Sequence, residues 1–357
     1  MTTVLIMAGG TGGHVFPALA VAEVLRARAC DVVWLGTRGG IEARLVPAAG
    51  IRVEWVRITG LRGKGVLSWI GAPFRLVRAL SDAVGAMRRC RPDVVLGLGG
   101  FVAGPGGVAA KLLGRPLVIH EQNAIAGLTN RILARLAGTV AEAFPGSFSP
   151  EVGAIAIGNP VRREIENLPP RPPLTRLRAH LLVFGGSQGA TALNRLLPQA
   201  LALLAPGERP EVLHQTGLAR RDQVAAAYVA VGVLADVREF IDDMAAAYGW
   251  ADLAVCRSGA LTVAELAAAG LPGVLVPFPA AVDDHQTANA RFLASRGAAV
   301  VLPEATLTAE RLATELRALI GPDRRDCEAM AAAARRAATP GAAERLADLC
   351  LAAGKLA

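Results

Sequence analysis

Residues 4–8 form a short apolar run that breaks at Gly9-Gly10-Thr11-Gly12-Gly13-His14 and gives way to residues 17–26, where good helix formers carry apolar positions at helical spacing. The pattern predicts a strand, a glycine turn and a helix. Further strand-like runs lie at 32–35, 53–58, 94–98, 117–119 and 154–157, separated by helical or glycine-rich stretches. That alternation is what a parallel sheet flanked by helices requires.

The first such unit closes near Gly158. Residues 166–176 contain Pro169, Pro170, Pro172 and Pro173, which suit neither a helix interior nor a central strand, so this stretch reads as an exposed connector. The opening pattern then restarts: residues 181–184 run into Gly185-Gly186-Ser187-Gln188-Gly189-Ala190 and a helix-like segment at 192–204. Later strands are predicted at 212–213, 237–240, 253–256, 273–276 and 299–302. From Thr308 an alanine-rich tail holds two or three helices, broken at Gly321-Pro322 and at Thr339-Pro340-Gly341. The second break allows the last helix, residues 340–357, to return to the first domain. With 357 residues the chain exceeds the size at which a single core stays efficient, roughly 250 to 300 residues. Two domains are therefore expected, at 1–158 and 159–339.

Composition narrows the class. A chain 53% hydrophobic and 19% charged, without a low-complexity tract, buries enough apolar surface to fold unaided. Cys30, Cys90, Cys256, Cys327 and Cys350 are scattered and never form a C-x-x-C pair, which argues against a disulfide framework or a zinc site and for a reducing compartment. No basic segment precedes the first apolar run, so no secretory signal is expected. The longest uncharged stretch, 266–282, is interrupted by Gly270, Pro272, Gly273, Pro277 and Pro279, and reads as helix, turn and buried strand rather than a membrane span.

Charge is unevenly placed. Residues 1–158 hold 17 Lys/Arg against 9 Asp/Glu, whereas 159–357 hold 21 of each. Within residues 57–91, Arg57, Arg62, Lys64, Arg75, Arg78, Arg88, Arg89 and Arg91 stand against the single acid Asp82. Trp69, Ile70, Phe74, Leu76 and Val77 interleave with them, as an interfacial segment on anionic lipid requires. A core-facing amphipathic helix with a solvated basic face accounts for the periodicity equally well. Nucleic acid ranks lower, because no binding motif accompanies the patch and the rest of the chain is charge-balanced.

A strand that turns through glycines into a helix presents free N–H groups at the positive end of the helix dipole, which favours phosphate. Two such loops open the two domains. A third glycine cluster, residues 97–106, follows another apolar strand and brings a second loop to the crevice of the first domain. Neither opening loop ends in Gly-Lys-Ser/Thr, and His14 and Ala190 disturb a dinucleotide fingerprint, so phosphoryl and hydride transfer lose ground. In the second domain Cys256-Arg257-Ser258-Gly259 leads into a helix-like stretch. Its Glu265 lies where a carboxylate accepts ribose hydroxyls or merely complements the helix dipole.

Read in order, Gly9-Gly10-Thr11-Gly12-Gly13-His14, Gly99-Gly100-Phe101-Val102-Ala103-Gly104-Pro105, His120-Glu121-Gln122-Asn123 and Gly158-Asn159-Pro160-Val161-Arg162 resemble signatures of one family. So do Gly185-Gly186-Ser187-Gln188-Gly189-Ala190, Phe240-Ile241-Asp242-Asp243-Met244, Arg257-Ser258-Gly259-Ala260-Leu261-Thr262-Val263-Ala264-Glu265 and Asp284-His285-Gln286. The family is that of the peptidoglycan N-acetylglucosaminyltransferases (the MurG family), which convert undecaprenyl-diphosphate-linked muramyl pentapeptide, lipid I, into lipid II. The segments span about 275 of the 357 residues.

The resemblance implies an α/β protein of the GT-B type, with two Rossmann-like domains whose parallel sheets face across a deep cleft. Residues 1–158 would take lipid I and meet the membrane, and residues 159–339 would hold UDP-N-acetylglucosamine (UDP-GlcNAc). Carried over by position, the Ile241 main chain contacts uracil and Glu265 the ribose. Ser187 and the helix start Ala260, Leu261, Thr262, Val263 and Ala264 contact the donor diphosphate. Gln286 and Asn123 contact the amino sugar, Arg162 sits at the hinge near the donor, and Thr11, Gly12 and Gly13 border it. Gly12, Gly13 and His14, with Gly100, Phe101 and Gly104, surround the acceptor diphosphate. Some members carry tyrosine where Phe101 stands, so no acid or base role falls to that position.

The same resemblance places Trp69, Ile70, Phe74, Arg75 and Arg78 on an anionic membrane surface, the cytoplasmic face of the inner membrane. It implies cell-wall synthesis and division proteins as partners, and no nucleic acid. Asp-x-Asp is absent from the sequence, which fits helix dipoles rather than a metal stabilising the departing UDP, so no cofactor is expected.

The implied reaction is displacement at the anomeric carbon by the muramyl C4 hydroxyl, with inversion. It needs one base. His14, the side-chain type that titrates nearest neutral pH, is the first choice, against the reading that it donates to a diphosphate. Glu121 is the second candidate, unless its run is a hydrogen-bonded loop that fixes Asn123. Rival readings are another nucleotide-sugar enzyme (a UDP-sugar 2-epimerase or a glycolipid synthase), a non-catalytic nucleotide-sugar binding subunit, and an NAD-dependent oxidoreductase. The last fails on loop spacing, although Asp31 stands at a tempting distance.

Overall fold

The computed structural model describes residues 1–58, 72–171, 176–186, 189–321 and 323–355. Trp69, Ile70 and Ser187 lie outside them. Two compact units result, Met1–Arg162 with Gly341–Ala357, and Arg163–Pro340. The division falls four residues beyond Gly158 because two side chains tie that stretch to the first unit. Asn159 Nδ2 donates to the Gln122 carbonyl at 2.9 Å, and the Arg162 guanidinium lies 4.9 Å from the centre of the Phe16 ring.

In the first unit β1 (Thr3–Met7), β2 (Asp31–Gly36), β3 (Arg52–Trp55), β4 (Val94–Gly97), β5 (Leu117–Glu121), β6 (Thr139–Glu142) and β7 (Ile155–Ala156) form a seven-stranded sheet. Its order is β3-β2-β1-β4-β5-β6-β7, with every pair parallel. Both faces are covered, which is why β1 reads as unbroken apolar sequence rather than an alternation. Val4 and Ile6 pack with Val21 and Leu25 of the helix Gly12–Ala27, and with Ala343, Leu346, Ala347 and Cys350 of the C-terminal helix Ala342–Lys355. Leu5 and Met7 point the other way, into a cluster with Ala79, Ala83 and Met87 of the helix Ala72–Cys90 and Ala109 of the helix Ala103–Leu112.

The second unit repeats this plan with β8 (His180–Phe184), β9 (Glu211–Gln215), β10 (Asp236–Arg238), β11 (Leu253–Cys256), β12 (Gly273–Leu275) and β13 (Ala299–Val301). Its order is β10-β9-β8-β11-β12-β13, again parallel throughout. In both sheets the chain reverses its direction of winding between the first and fourth strands, at β1/β4 and at β8/β11. The carboxyl ends of those strands are where such sheets bind ligands. Among the described residues no helix is long and apolar enough to cross a membrane.

Each unit is braced by a buried histidine. His120 donates from Nε2 to the Gly158 carbonyl at 2.9 Å, and burial pulls its pKa down to about 4. His214 donates to Asn194 Oδ1 at 3.1 Å and accepts from the Tyr228 hydroxyl at 2.9 Å; burial lowers its pKa to about 3. Both rings are neutral in the folded protein at neutral pH, whereas in the unfolded chain they protonate near pH 6.5. The unfolded state therefore binds more protons as the pH falls below that value. Stability should drop by up to about 1.4 kcal/mol per pH unit for each histidine. The loss continues down to about pH 4 for His120 and about pH 3 for His214. Urea unfolding at pH 7.5 and 5.5 reads this directly, and equal stability at the two pH values contradicts it.

Candidate active site

In the first unit the loop after β1 turns at Gly10, with φ +97°, and enters the helix Gly12–Ala27. Thr11 is extended and makes no side-chain cap, and the first turn of this 16-residue helix carries no acid, so its N–H groups and dipole face the crevice unneutralised. Glu42, fully buried, holds the loop from behind: its carboxylate accepts from Gly10 N at 3.0 Å, from Thr37 N at 3.0 Å and from the Thr37 hydroxyl at 2.7 Å. A Cβ on Gly9 would stand 2.6 Å from that carboxylate, which is why the position is glycine.

The loop after β4 lies directly on this one. Gly100, at φ +81°, approaches so closely that a Cβ would sit 2.4 Å from the Gly9 carbonyl oxygen. The missing side chain of Gly99, at φ +98°, leaves room for the imidazole of His14, whose Cε1 would be 3.0 Å from a Cβ there. On that same edge of the ring His14 Nδ1 lies 2.8 Å from Gln122 Oε1. Three sequence-distant segments thus converge on one imidazole, with Phe101 half exposed beside them and Gly104 inside the helix that follows.

Glu121 is arranged differently. It is 3% exposed and accepts four hydrogen bonds, from Asn123 N and Nδ2 at 2.8 and 3.2 Å, from Gly127 N at 3.1 Å and from Asn130 Nδ2 at 2.8 Å. A buried carboxylate with this many donors has neither access to a substrate hydroxyl nor a lone pair to spare. This geometry fits the hydrogen-bonded loop that fixes Asn123, not a general base, and Ser147 adds a hydroxyl bond to the Asn123 carbonyl at 2.8 Å.

In the second unit the loop after β8 carries Gly186 and Gly189 at φ +80° and +70°. A Cβ on Gly189 would stand 2.0 Å from the Thr216 carbonyl, so the loop is pressed onto the end of β9. Asn194 Nδ2, part of the His214 network, donates to that same carbonyl at 3.0 Å. The loop after β11 leads into the helix Ala260–Ala269, again without an acid in its first turn. Leu261 and Val263 turn their side chains into the core; Thr262 and Ala264 are partly exposed. Glu265, 4% exposed, accepts from the Tyr248 hydroxyl at 2.9 Å. Ile241 is buried in the turn after β10, where Asp243 caps the next helix through Ala246 N at 2.8 Å.

Two further residues shape this end of the second unit. Arg257 pairs with Glu304 at 2.5 Å, donates to the Val276 and Pro277 carbonyls at 3.1 and 3.2 Å, and lies over the Phe278 ring. The Ser258 hydroxyl donates to the Gln286 carbonyl at 2.8 Å, while Gln286 Oε1 accepts from Phe278 N at 2.9 Å. Asp283 and Asp284, at φ +53° and +51°, hold the strained turn that brings Gln286 there. Among the described residues no group of His, Cys, Asp and Glu side chains could hold a metal ion.

Comparison with known proteins agrees with this arrangement of paired loops. Residues 4–142 match the glycosyltransferase family 28 N-terminal domain, and residues 180–346 match its C-terminal domain. The chain belongs to glycosyltransferase family 28. Within this family it is 59% identical, over 98% of both chains, to the UDP-N-acetylglucosamine–N-acetylmuramyl-(pentapeptide) pyrophosphoryl-undecaprenol N-acetylglucosamine transferase of Nitrosococcus oceani. The enzyme of the same name from Pseudomonas fluorescens is 55% identical, again over 98% of both chains. The crystal structure of Acinetobacter baumannii MurG superposes with a TM-score of 0.81 at 42% identity, covering 99% of this chain and 100% of that one.

The fold is GT-B and the chain is a glycosyltransferase. Its family motifs mark the loops; the residues that hold the loops are not in them. Glu42 sits in a short helix, Glu42–Ala48, without a motif of its own, and Tyr248 is one aromatic in an alanine-rich helix, Met244–Trp250. Neither carries a local signal. Gln122 was inside a motif, but only the fold shows that it faces His14.

Proposed function

We propose that this chain transfers N-acetylglucosamine from UDP-GlcNAc to the C4 hydroxyl of the muramyl sugar of lipid I, forming lipid II with inversion at the anomeric carbon. The observation that carries the reading is the presence of family loops at both sheet switch points in a chain 59% identical, end to end, to a transferase of that name. The nucleotide sugar occupies the β8/β11 switch point. Glu265, held by Tyr248, accepts the ribose hydroxyls, the Ile241 main chain meets uracil, and the Gly185–Gly189 loop with the start of the helix Ala260–Ala269 takes the diphosphate. Gln286 reads the amino sugar. Two positive helix ends stabilise the departing UDP, so the chemistry calls for no metal.

The β1/β4 switch point takes the acceptor diphosphate on Gly12, Gly13, Gly100 and Gly104. His14 removes the proton from the C4 hydroxyl as the new glycosidic bond forms, and Glu121 acts only by fixing Asn123. Incubation with UDP-GlcNAc and a short-chain lipid I analogue tests the whole. Mass detection should find the disaccharide product, with UDP release dependent on acceptor. Acceptor-independent UDP release without disaccharide favours an epimerase-like activity and contradicts the proposal.

Action at the cytoplasmic face of the inner membrane is supported by the start of the helix Ala72–Cys90. Its Ala79, Ala83 and Met87 are buried in the core, but Phe74 is 77% and Val77 66% exposed, beside Arg75 and Arg78. Arg57 and Arg89 are engaged elsewhere, in ion pairs of 2.5 Å with Asp82 and Glu54. Phe74→Ser should weaken binding to anionic vesicles by about tenfold, the size expected for one apolar anchor. Arg78→Glu should do so at low salt only. Co-sedimentation measures both, and unchanged binding removes the patch from the account.

A further inference from the structure

We infer that Gln122 is the positioning residue that sets the tautomer of His14, keeping the ring proton on Nδ1 and the lone pair on Nε2. The inference deepens the reading of His14 as the group that takes the acceptor proton, and rests on it.

Gln122 is 3% exposed, with Oε1 2.8 Å from His14 Nδ1. A carbonyl oxygen has no proton to give, so this bond exists only if Nδ1–H donates. A neutral imidazole protonated at Nδ1 carries its lone pair at Nε2, the atom then able to accept a proton. The same Nδ1/Cε1 edge faces Gly99, where a Cβ would be 3.1 Å from Nδ1 and 3.0 Å from Cε1 but 3.7 Å from Nε2.

The main chain of Gln122 is anchored: its backbone carbonyl accepts from Asn159 Nδ2 at 2.9 Å, and the residues on either side are joined by the Glu121–Asn123 hydrogen bonds. The side-chain Nε2 is buried without a hydrogen-bond partner among the described residues, so the amide is aimed by its bond to His14. The chemical choice of an amide follows. A carboxylate at this distance would shift the ring toward the imidazolium. An amide supplies direction without that bias. The opposite amide orientation, Nε2–H toward the ring, would demand a proton on His14 Nε2 and turn His14 into a diphosphate donor. Gln122 therefore separates the two roles available to His14.

The test is the 15N spectrum of full-length protein labelled in histidine, with His14 assigned by its loss in His14→Ala. The wild type should show a protonated Nδ1 and an unprotonated Nε2. In Gln122→Met the preference should disappear and kcat should fall about tenfold or more, with the KM for UDP-GlcNAc unchanged. Gln122→Glu, which can only accept, should restore the Nδ1–H form and move the acid limb of the kcat profile to higher pH. A wild-type spectrum with the proton on Nε2 overturns the inference, and so does Gln122→Met with the native tautomer and native kcat. The wild-type spectrum decides the matter even if Gln122→Met fails to fold. Normal turnover in His14→Ala would sink the base assignment alone, a result the spectrum cannot mimic.

Discussion

Replacing His14 by alanine should lower kcat by about 10² or more, the usual contribution of a positioned general base, with little change in the KM for UDP-GlcNAc. The expectation follows from where the imidazole sits. It belongs to the β1/β4 switch point, beside Gln122 and Gly99, whereas the proposed nucleotide site is built from β8 and β11 loops. Loss of the ring leaves the Glu42-braced loop intact, so the variant should melt near the wild-type temperature. His14→Asn separates the two roles considered for this residue: an amide still donates to a diphosphate but does not titrate, so it should be as slow as alanine. Steady-state kinetics with a soluble acceptor analogue measures both. Native turnover in the alanine variant would remove His14 from the chemistry, and native turnover in the asparagine variant alone would make it a diphosphate donor rather than the base.

Glu265→Ala should instead act on the donor. A hydrogen bond to a charged group contributes about 1.5–3 kcal/mol, so losing a carboxylate that accepts two ribose hydroxyls should raise the KM for UDP-GlcNAc by about 10². The same substitution leaves the buried Tyr248 hydroxyl without its 2.9 Å acceptor, at a cost of about 1–3 kcal/mol in stability. Tyr248→Phe distinguishes the contributions. It keeps the carboxylate but frees its orientation, and should raise the donor KM only a few-fold while leaving the acceptor KM alone. Isothermal titration with UDP, paired with thermal melts, reads binding apart from folding. Glu265→Ala with native UDP affinity would contradict the proposed site.

Much of the fold was legible because strands of a doubly covered parallel sheet are uniformly apolar. Residues 4–8, 94–98 and 253–256 announced β1, β4 and β11 within a residue at each end. β6 was missed for the same reason: Thr139-Val140-Ala141-Glu142 is too short and too polar to stand out, and its Glu142 is satisfied only by the turn it accepts from, at Gly146 N and Phe148 N. The restart at Gly185 announced the second unit, but its border moved past Gly158 because Asn159 and Arg162 are held by side chains far away in sequence.

Loop glycines could be seen from sequence; the reason for each could not. Gly99 makes room for an imidazole 85 positions earlier, and Gly189 for a carbonyl on β9. Glu121 shows the converse limit. Its residue type suits a base, and only the four donors around it reveal a carboxylate with nothing left to offer.

A crystal soaked with UDP-GlcNAc, in the absence of acceptor, examines the division of labour on which every assignment above depends. The account predicts electron density for the nucleotide against Glu265 and the Gly185–Gly189 loop, not solely at the Thr11 turn. Nucleotide bound instead at the Thr11 turn, beside His14, would contradict it.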